Sequence, residues 1–288
     1  MDLLLIPLVL GACSSAGAPR PSRAIDLSTR AGVVMAASVP REALDLLAPV
    51  WYYTYGFGGQ SLEGHPRVLL VRPHYDEEAA AEALREAPGS WWLVGNEPND
   101  PYQDDLSPGA YAALYGRFEA LARRIDPACR IVAGGVANAD TLWADAFRHA
   151  YRDEFGVWPA PDAWHIHNYI LEPERDQLDL AEFQKRIVAF RAWMEDIGDE
   201  DLPLFLTEFG ALYGLHDGHL GRPEEDPERV AGFVREAVAW LYATDHVQHF
   251  AWFATGTAGQ FNGDLYDASG ALTPVGQAYR EAIRQEVN

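Results

Sequence analysis

Trp91-Trp92-Leu93-Val94-Gly95-Asn96-Glu97-Pro98-Asn99 begins as an unbroken apolar run and breaks into Gly-Asn-Glu-Pro. Bulky apolar residues with no polar residue between them are the pattern of a strand buried on both faces. Glycine and proline then interrupt it, so Glu97 stands at the strand's carboxyl tip. The same unit recurs along the chain. Strands are predicted at Gly32–Ala36, Val50–Tyr55, Val68–Arg72, Trp91–Gly95, Arg130–Ala133, Ala163–His167, Leu204–Thr207 and Gln248–Phe253. Amphipathic helices are predicted at Glu77–Glu86, Ala110–Arg124, Thr141–Phe155, Leu180–Ile197, Pro227–Ala243 and Pro274–Gln285. Gly56-Phe57-Gly58-Gly59 follows the second strand instead of a clear helix. No linker, repeat or low-complexity tract interrupts the pattern after Ala31. Strands alternating with helices in this way predict an α/β fold, a single-domain (β/α)8 TIM barrel over residues 30–288. A doubly wound sheet is the competitor, but no G-x-G-x-x-G follows the first strand. In such a barrel the carboxyl ends of the strands form the working face.

The length of 288 residues suits one barrel, and 48% hydrophobic residues suffice for its core. A formal charge of −21 argues against nucleic acid or an anionic membrane surface as a partner. That charge keeps the chain soluble and is compatible with a neutral substrate. The chain has two cysteines. Cys13 closes Leu10-Gly11-Ala12-Cys13 behind the apolar run Leu3–Leu10, which is too short to span a bilayer. The segment resembles a bacterial lipoprotein signal, although Asp2 and no Lys or Arg precedes the apolar run. The resemblance implies a signal peptide over residues 1–12, lipidation of Cys13, a flexible tether over 13–29 and an extracytoplasmic, lipid-anchored protein. Membrane contact is expected only through that anchor, and a monomer is expected. Cys129 reads as a small core residue.

A second acid has the same setting as Glu97. Pro203-Leu204-Phe205-Leu206-Thr207-Glu208-Phe209-Gly210 places Glu208 at the tip of the seventh strand, as Glu97 is at the tip of the fourth. Two carboxyls facing each other across a barrel mouth can divide the labour of glycosidic cleavage, one as proton donor and the other as nucleophile. A proton donor must stay protonated near neutral pH, which burial and a neighbouring carboxylate both favour. The bland alternative makes one or both glutamates helix N-caps or surface acids at strand ends.

Asn96-Glu97-Pro98 and Thr207-Glu208-Phe209-Gly210, at these strand ordinals, resemble the motifs of glycoside hydrolase clan A over roughly residues 31–286. The resemblance implies Glu97 as acid/base, Glu208 as nucleophile, Asn96 on the sugar 2-hydroxyl, and no cofactor or metal. It implies that His167 and Tyr169 lie beside the nucleophile, with the Tyr169 hydroxyl donating to Glu208. It also makes Trp252 the indole on which the sugar rests. Asp267-x-x-Gly270-x-Leu272-Thr273-Pro274 with Gly276 and Tyr279, together with Ile166-His167-Asn168-Tyr169, looks like the "glycosyl hydrolase catalytic core" family, which holds endo-β-1,3-glucanases. Trp51-Tyr52-Tyr53-Thr54-Tyr55 keeps only part of that family's second-strand signature. The implied activity is retaining hydrolysis of a neutral β-glycan, with β-1,3-glucan as one expected substrate and endo attack as the expected mode.

Other residues leave more than one reading. Trp51, Tyr53 and Tyr55 share one face of the second strand and are cleft candidates if that face is inward. Arg72 and His74 are candidates for sugar hydroxyls, and Arg72 is equally a candidate for an ion pair in the barrel floor. His165 and His167 alternate on one strand and could hold a metal. Asp217, His219 and Asp264 lie in loops without full ligand spacing and read as solvated polar residues. Thr273-Pro274 reads as the N-cap and first position of the last helix. The rival functions are therefore a catalytically inactive glycan-binding barrel and a metal-dependent hydrolase.

Overall fold

The computed structural model describes residues 29–47, 50–59, 61–172, 174–212, 226–257, 261 and 263–285. The signal-like segment with Cys13, the loop holding Asp217 and His219, and positions 260 and 262 lie outside the described residues. Eight parallel strands close into a barrel in chain order, with the last pairing to the first. They are β1 (Ala31–Val34), β2 (Trp51–Tyr53), β3 (Arg67–Val71), β4 (Trp91–Val94), β5 (Arg130–Val136), β6 (Ala163–Asn168), β7 (Leu204–Phe209) and β8 (His249–Phe253). Helices α2 (Glu77–Glu86), α4 (Thr141–Phe155), α6 (Pro227–Ala243) and α7 (Pro274–Gln285) have the predicted bounds. Helices α3 (Pro108–Ile125) and α5 (Leu180–Asp196) differ from theirs by a residue or two at the ends. The (β/α)8 barrel expectation is correct. One helix was missing from it. Helix α1 (Arg41–Leu47) buries Ala43, Leu44 and Leu47, and its 7 residues are too few to display a helical period.

Side chains alternate along each strand between the barrel interior and the layer under the helices. Trp51, Tyr53, Val68, Leu70, Trp91, Leu93, Val132, Phe205 and Ala251 fill the interior. Tyr52, Leu69, Trp92, Val94, Trp164, Leu206, Phe250 and Trp252 face the helices. Five helices begin on a side-chain cap from Asp76, Ser107, Asp140, Asp179 or Asp226, each accepting from a first-turn backbone N–H. Thr273 does the same for α7, accepting from Gly276 N–H at 3.0 Å ahead of Pro274. These caps fix where each βα loop ends, and so position the rim of the mouth.

Two register shifts occur where function was expected. Strand β5 gains one residue relative to β6 between Gly134 and Val136. Strand β7 gains one relative to both neighbours beyond Leu206. An extra residue reverses the alternation locally and re-aims the side chains that follow. Beyond the shift, Glu208 pairs with His167, the inward residue of β6. No helix among the described residues is long and apolar enough to cross a membrane.

Candidate active site

Beyond Val94 the chain turns sharply over the mouth. Gly95 has φ +83° and Glu97 has φ +47°, a left-handed conformation that a glutamate rarely adopts. Two hydrogen bonds hold this turn. Glu97 N–H donates to Gly135 O at 2.8 Å, and Asn96 N–H donates to Asp104 Oδ2 at 2.7 Å. The result aims the Glu97 side chain across the barrel axis, with the residue 9% exposed.

Glu208 meets it from the far side. Hydroxyls of Tyr53 and Tyr55 donate to its Oε1 at 2.5 and 3.0 Å, and the Tyr169 hydroxyl donates to Oε2 at 2.8 Å. His167 lies between the two acids. Its Nδ1 is 3.0 Å from Glu97 Oε1 and 3.4 Å from Glu208 Oε2. One carboxylate oxygen of each glutamate and one ring nitrogen of His167 all lie within 4.8 Å of one another. The two acids therefore do not point apart, and neither is a surface group.

Their surroundings differ in a way that separates acid from acceptor. Burial raises the pKa of Glu97 above the ordinary carboxylate value, and the charges of Glu208 and Asp100 act in the same direction. The hydrogen bond and charge of His167 oppose them without cancelling the rise. For His167, burial lowers the pKa, but Glu208 and Glu97 outweigh it and the net shift is upward. Tyr53, Tyr55 and Tyr169 are held well above 10, by burial first and by Glu208 second, so they remain hydroxyl donors. A protonated Glu97 can donate to an oxygen lodged beside Glu208, and it loses that ability as pH rises through its elevated pKa. The alkaline limb of kcat/KM is therefore expected above the ordinary glutamate range. His167→Ala removes the two influences that pull Glu97 down, so the limb should move to higher pH. A pH–rate profile checks the sign, and a limb moving to lower pH contradicts it.

The remaining sequence candidates divide. Tyr53, Tyr55, His167 and Tyr169 converge on the carboxylates. Asn96 is 3% exposed, and its side-chain amide donates to Gln103 Oε1 at 3.1 Å at the edge of the same turn. Arg72 pairs with Asp104, Nε to Oδ1 at 2.7 Å. This is an ion pair at the mouth, not in the floor, and it ties Arg72 to the acid that holds Asn96. His74 is exposed and has φ +65°. Two aromatic assignments need correction. Trp51 lies in the barrel interior against Tyr53 and Phe205, fully buried, with Nε1–H donating to Arg30 O. Trp252 faces the helices, packs on Phe209 and Tyr279, donates to Gly263 O at 2.8 Å, and offers no ring face to a sugar. The inward position on β8 belongs to Phe253, half-buried and edge-on to Tyr169 with centroids 6.1 Å apart. The alternation of β8 carried this signal, because Ala251 is inward and Phe253 shares its parity. Trp252→Ala should cost about 3–5 kcal/mol of stability in denaturant unfolding. Phe253→Ala should mainly raise KM.

His165, the other member of the alternative metal pair, stands outside the group of described residues spaced to hold a cation. His165 is fully buried, its Nδ1 is 3.0 Å from Thr207 Oγ1, and its ring centroid is 6.3 Å from that of His167. Burial holds its pKa well below the usual histidine value. Among the described residues, the trio spaced for a cation is Glu97, His167 and Glu208. Asp264 accepts from Thr257 N–H and its hydroxyl at 2.9 and 2.7 Å, and so braces its own loop. Cys129 is a buried free thiol.

The sequence pattern of the "Glycosyl hydrolase catalytic core" family matches residues 47–279. No curated protein matches the sequence. Among solved structures, a family 128 (subgroup II) endo-β-1,3-glucanase from Pseudomonas viridiflava aligns with TM-score 0.66 and 23% identity, over 87% of this chain and 96% of that one. A subgroup I endo-β-1,3-glucanase of family 128 from Amycolatopsis mediterranei, complexed with laminarihexaose, aligns with TM-score 0.65 and 22% identity, over 88% and 99%. A curdlan-specific exo-β-1,3-glucanase of the same family from Blastomyces gilchristii, complexed with glucose, aligns with TM-score 0.64 and 23% identity, over 87% and 97%. At these identities the likeness is one of fold.

Proposed function

Because the chain belongs to the glycosyl hydrolase catalytic core family, we propose that it hydrolyses β-1,3-linked glucan with retention of configuration, by endo attack. The observation that carries the retaining chemistry is that one carboxylate oxygen of Glu97 and one of Glu208 lie within 4.8 Å of each other. Retaining enzymes hold their carboxyls about 5–5.5 Å apart, whereas inverting ones leave about 6.5–9.5 Å for a water. Glu97 protonates the leaving oxygen while Glu208 attacks the anomeric carbon. Glu97, now a carboxylate, then takes a proton from the water that cleaves the glycosyl-enzyme. Tyr53, Tyr55 and Tyr169 orient Glu208 for attack and receive it again as the departing carboxylate. Asn96 is assigned to the sugar 2-hydroxyl, Phe253 to the sugar ring, and Arg72 and His74 to the rim of the cleft. The β-1,3 linkage is supported by the glucanases that share the fold. Both catalytic acids are present in a buried, hydrogen-bonded site, which disfavours an inactive glycan-binding barrel.

Export and lipidation at Cys13, and a monomeric state, belong to the same proposal. The lipidation reading rests on Leu3–Cys13 alone. Incubation with laminarin, mannan, galactan and cellulose oligomers tests the activity, with product lengths read by mass spectrometry and anomeric configuration by proton NMR. Laminari-oligosaccharides of intermediate length released as the β-anomer are expected. Initial release of the α-anomer would rule out retention, and turnover of another glycan alone would rule out the linkage.

A further inference from the structure

The strained turn that presents Glu97 is fastened from outside the barrel. Tyr111, on the first turn of α3, is fully buried and reaches in between β4 and β5. Its hydroxyl donates to Val94 O at 2.7 Å and accepts from Gly134 N–H at 2.8 Å. One oxygen thus satisfies the last residue of β4 and the residue that opens the shift in β5.

The backbone around this oxygen leaves little freedom. Gly95, Gly134 and Gly135 have φ of +83°, +116° and +66°. A Cβ on Gly95 would lie 2.7 Å from the Tyr111 ring. A Cβ on Gly134 would lie 2.4 Å from His165 O, and one on Gly135 would lie 2.7 Å from the His165 ring and 2.9 Å from Gly95 O. The extra residue of β5, Gly135, supplies the carbonyl that accepts the Glu97 N–H. Tyr111 therefore holds Gly134, Gly134 places Gly135, and Gly135 holds Glu97 in its left-handed conformation.

We propose that Tyr111 is a positioning residue for the acid/base: it clips the tips of β4 and β5 so that Gly135 can hold the Glu97 backbone over the mouth. This inference rests on the reading of Glu97 as acid/base. Tyr111→Phe keeps the ring that packs on Gly95 and deletes both bonds, leaving the buried Gly134 N–H without its partner. Displacement of a reacting group by about 1 Å can lower a rate about a hundredfold. Only steps that use Glu97 should suffer. Departure of a sugar alkoxide needs its proton, whereas departure of dinitrophenolate does not.

The test compares parent and Tyr111→Phe on laminarihexaose and on 2,4-dinitrophenyl β-laminaribioside. A loss in kcat/KM of about ten- to a hundredfold is expected on the hexaose, against less than about threefold on the aryl glycoside. Added azide, which attacks the glycosyl-enzyme without a general base, should restore kcat on the aryl substrate and yield the β-glycosyl azide. Gly135→Ala, made on the other strand, should give the same split and stands in if Tyr111→Phe does not fold. Equal losses on the two substrates, or no loss on either, would overturn the inference while leaving the assignment of Glu97 intact. If Glu97→Ala itself fails to separate the two substrates, the reading of the acid falls, and this inference with it.

Discussion

Glu208→Ala should reduce hydrolysis by about 10⁴- to 10⁶-fold, the scale of loss when a covalent nucleophile is deleted. No neighbour can take its place. The groups around it are the hydroxyls of Tyr53, Tyr55 and Tyr169, all with pKa values held well above 10, the ring of His167, and Glu97, which the proposed mechanism occupies on the leaving-group side. Glu208→Gln keeps the volume and one acceptor oxygen, so oligosaccharide affinity should persist within a few-fold while turnover disappears. Calorimetric titration with a laminari-oligosaccharide reads the first quantity and reducing-end release the second. A Glu208→Ala protein that hydrolyses its substrate at near the parent rate would refute the proposed chemistry. In Glu208→Ala, added azide should generate the α-glycosyl azide, because the small anion can occupy the vacated space on the nucleophile's side.

Glu97→Ala should have a different signature. Its kcat/KM on unactivated oligosaccharides should fall by about 10²- to 10⁴-fold, the usual share of general acid–base catalysis. On a dinitrophenyl glycoside the first step should be nearly unaffected. The second step, which needs a base, should become limiting, so a burst of dinitrophenolate should precede a slow steady state. The alkaline limb of the pH profile should also flatten, since Glu97 is the group whose elevated pKa defines it. The removed side chain faces His167 Nδ1 at 3.0 Å, so the pKa of that imidazole should move down as it loses an acidic partner. Histidine titration by NMR would check the direction.

These two results address different halves of the 4.8 Å arrangement of Glu97, His167 and Glu208. They also separate the chemistry from its support. Trp252 and Tyr111 are both fully buried aromatics near the mouth. Trp252 spends its polar atom on a loop carbonyl at Gly263, whereas Tyr111 spends its own on the two strand tips beside Glu97. Substitution of Trp252 should lower stability, and substitution of Tyr111 should show in leaving-group dependence.

Local patterning was sufficient for the barrel. Uninterrupted apolar runs such as Trp91–Val94 become buried parallel strands wherever helices cover them, and Asp or Ser followed by an amphipathic stretch starts a helix regardless of distant contacts. The ordinal positions of Glu97 and Glu208 followed from counting those strands. Tyr53, Tyr55 and Tyr169 could be nominated because period-two alternation survives to the strand ends. Facing was legible only where that alternation and its origin were both known. The second strand's aromatic run could not say which of its faces was inward, and Trp252 was assigned by likeness when its parity with Phe250 places it outward.

What no sequence pattern carried were the departures from regular pairing. Glu208 follows an inward Thr207, so strict alternation would send it outward, and one added residue in β7 turns it back to the mouth. Glu97 faces its partner because a left-handed turn is held by Gly135, Asp104 and Tyr111, which lie 38, 7 and 14 positions away in the chain. Such features arise from competition between neighbouring strands for register and from the space left by His165 and Tyr111. That competition exists only once the barrel has closed, since hydrogen-bond partners this distant in sequence have no local signature.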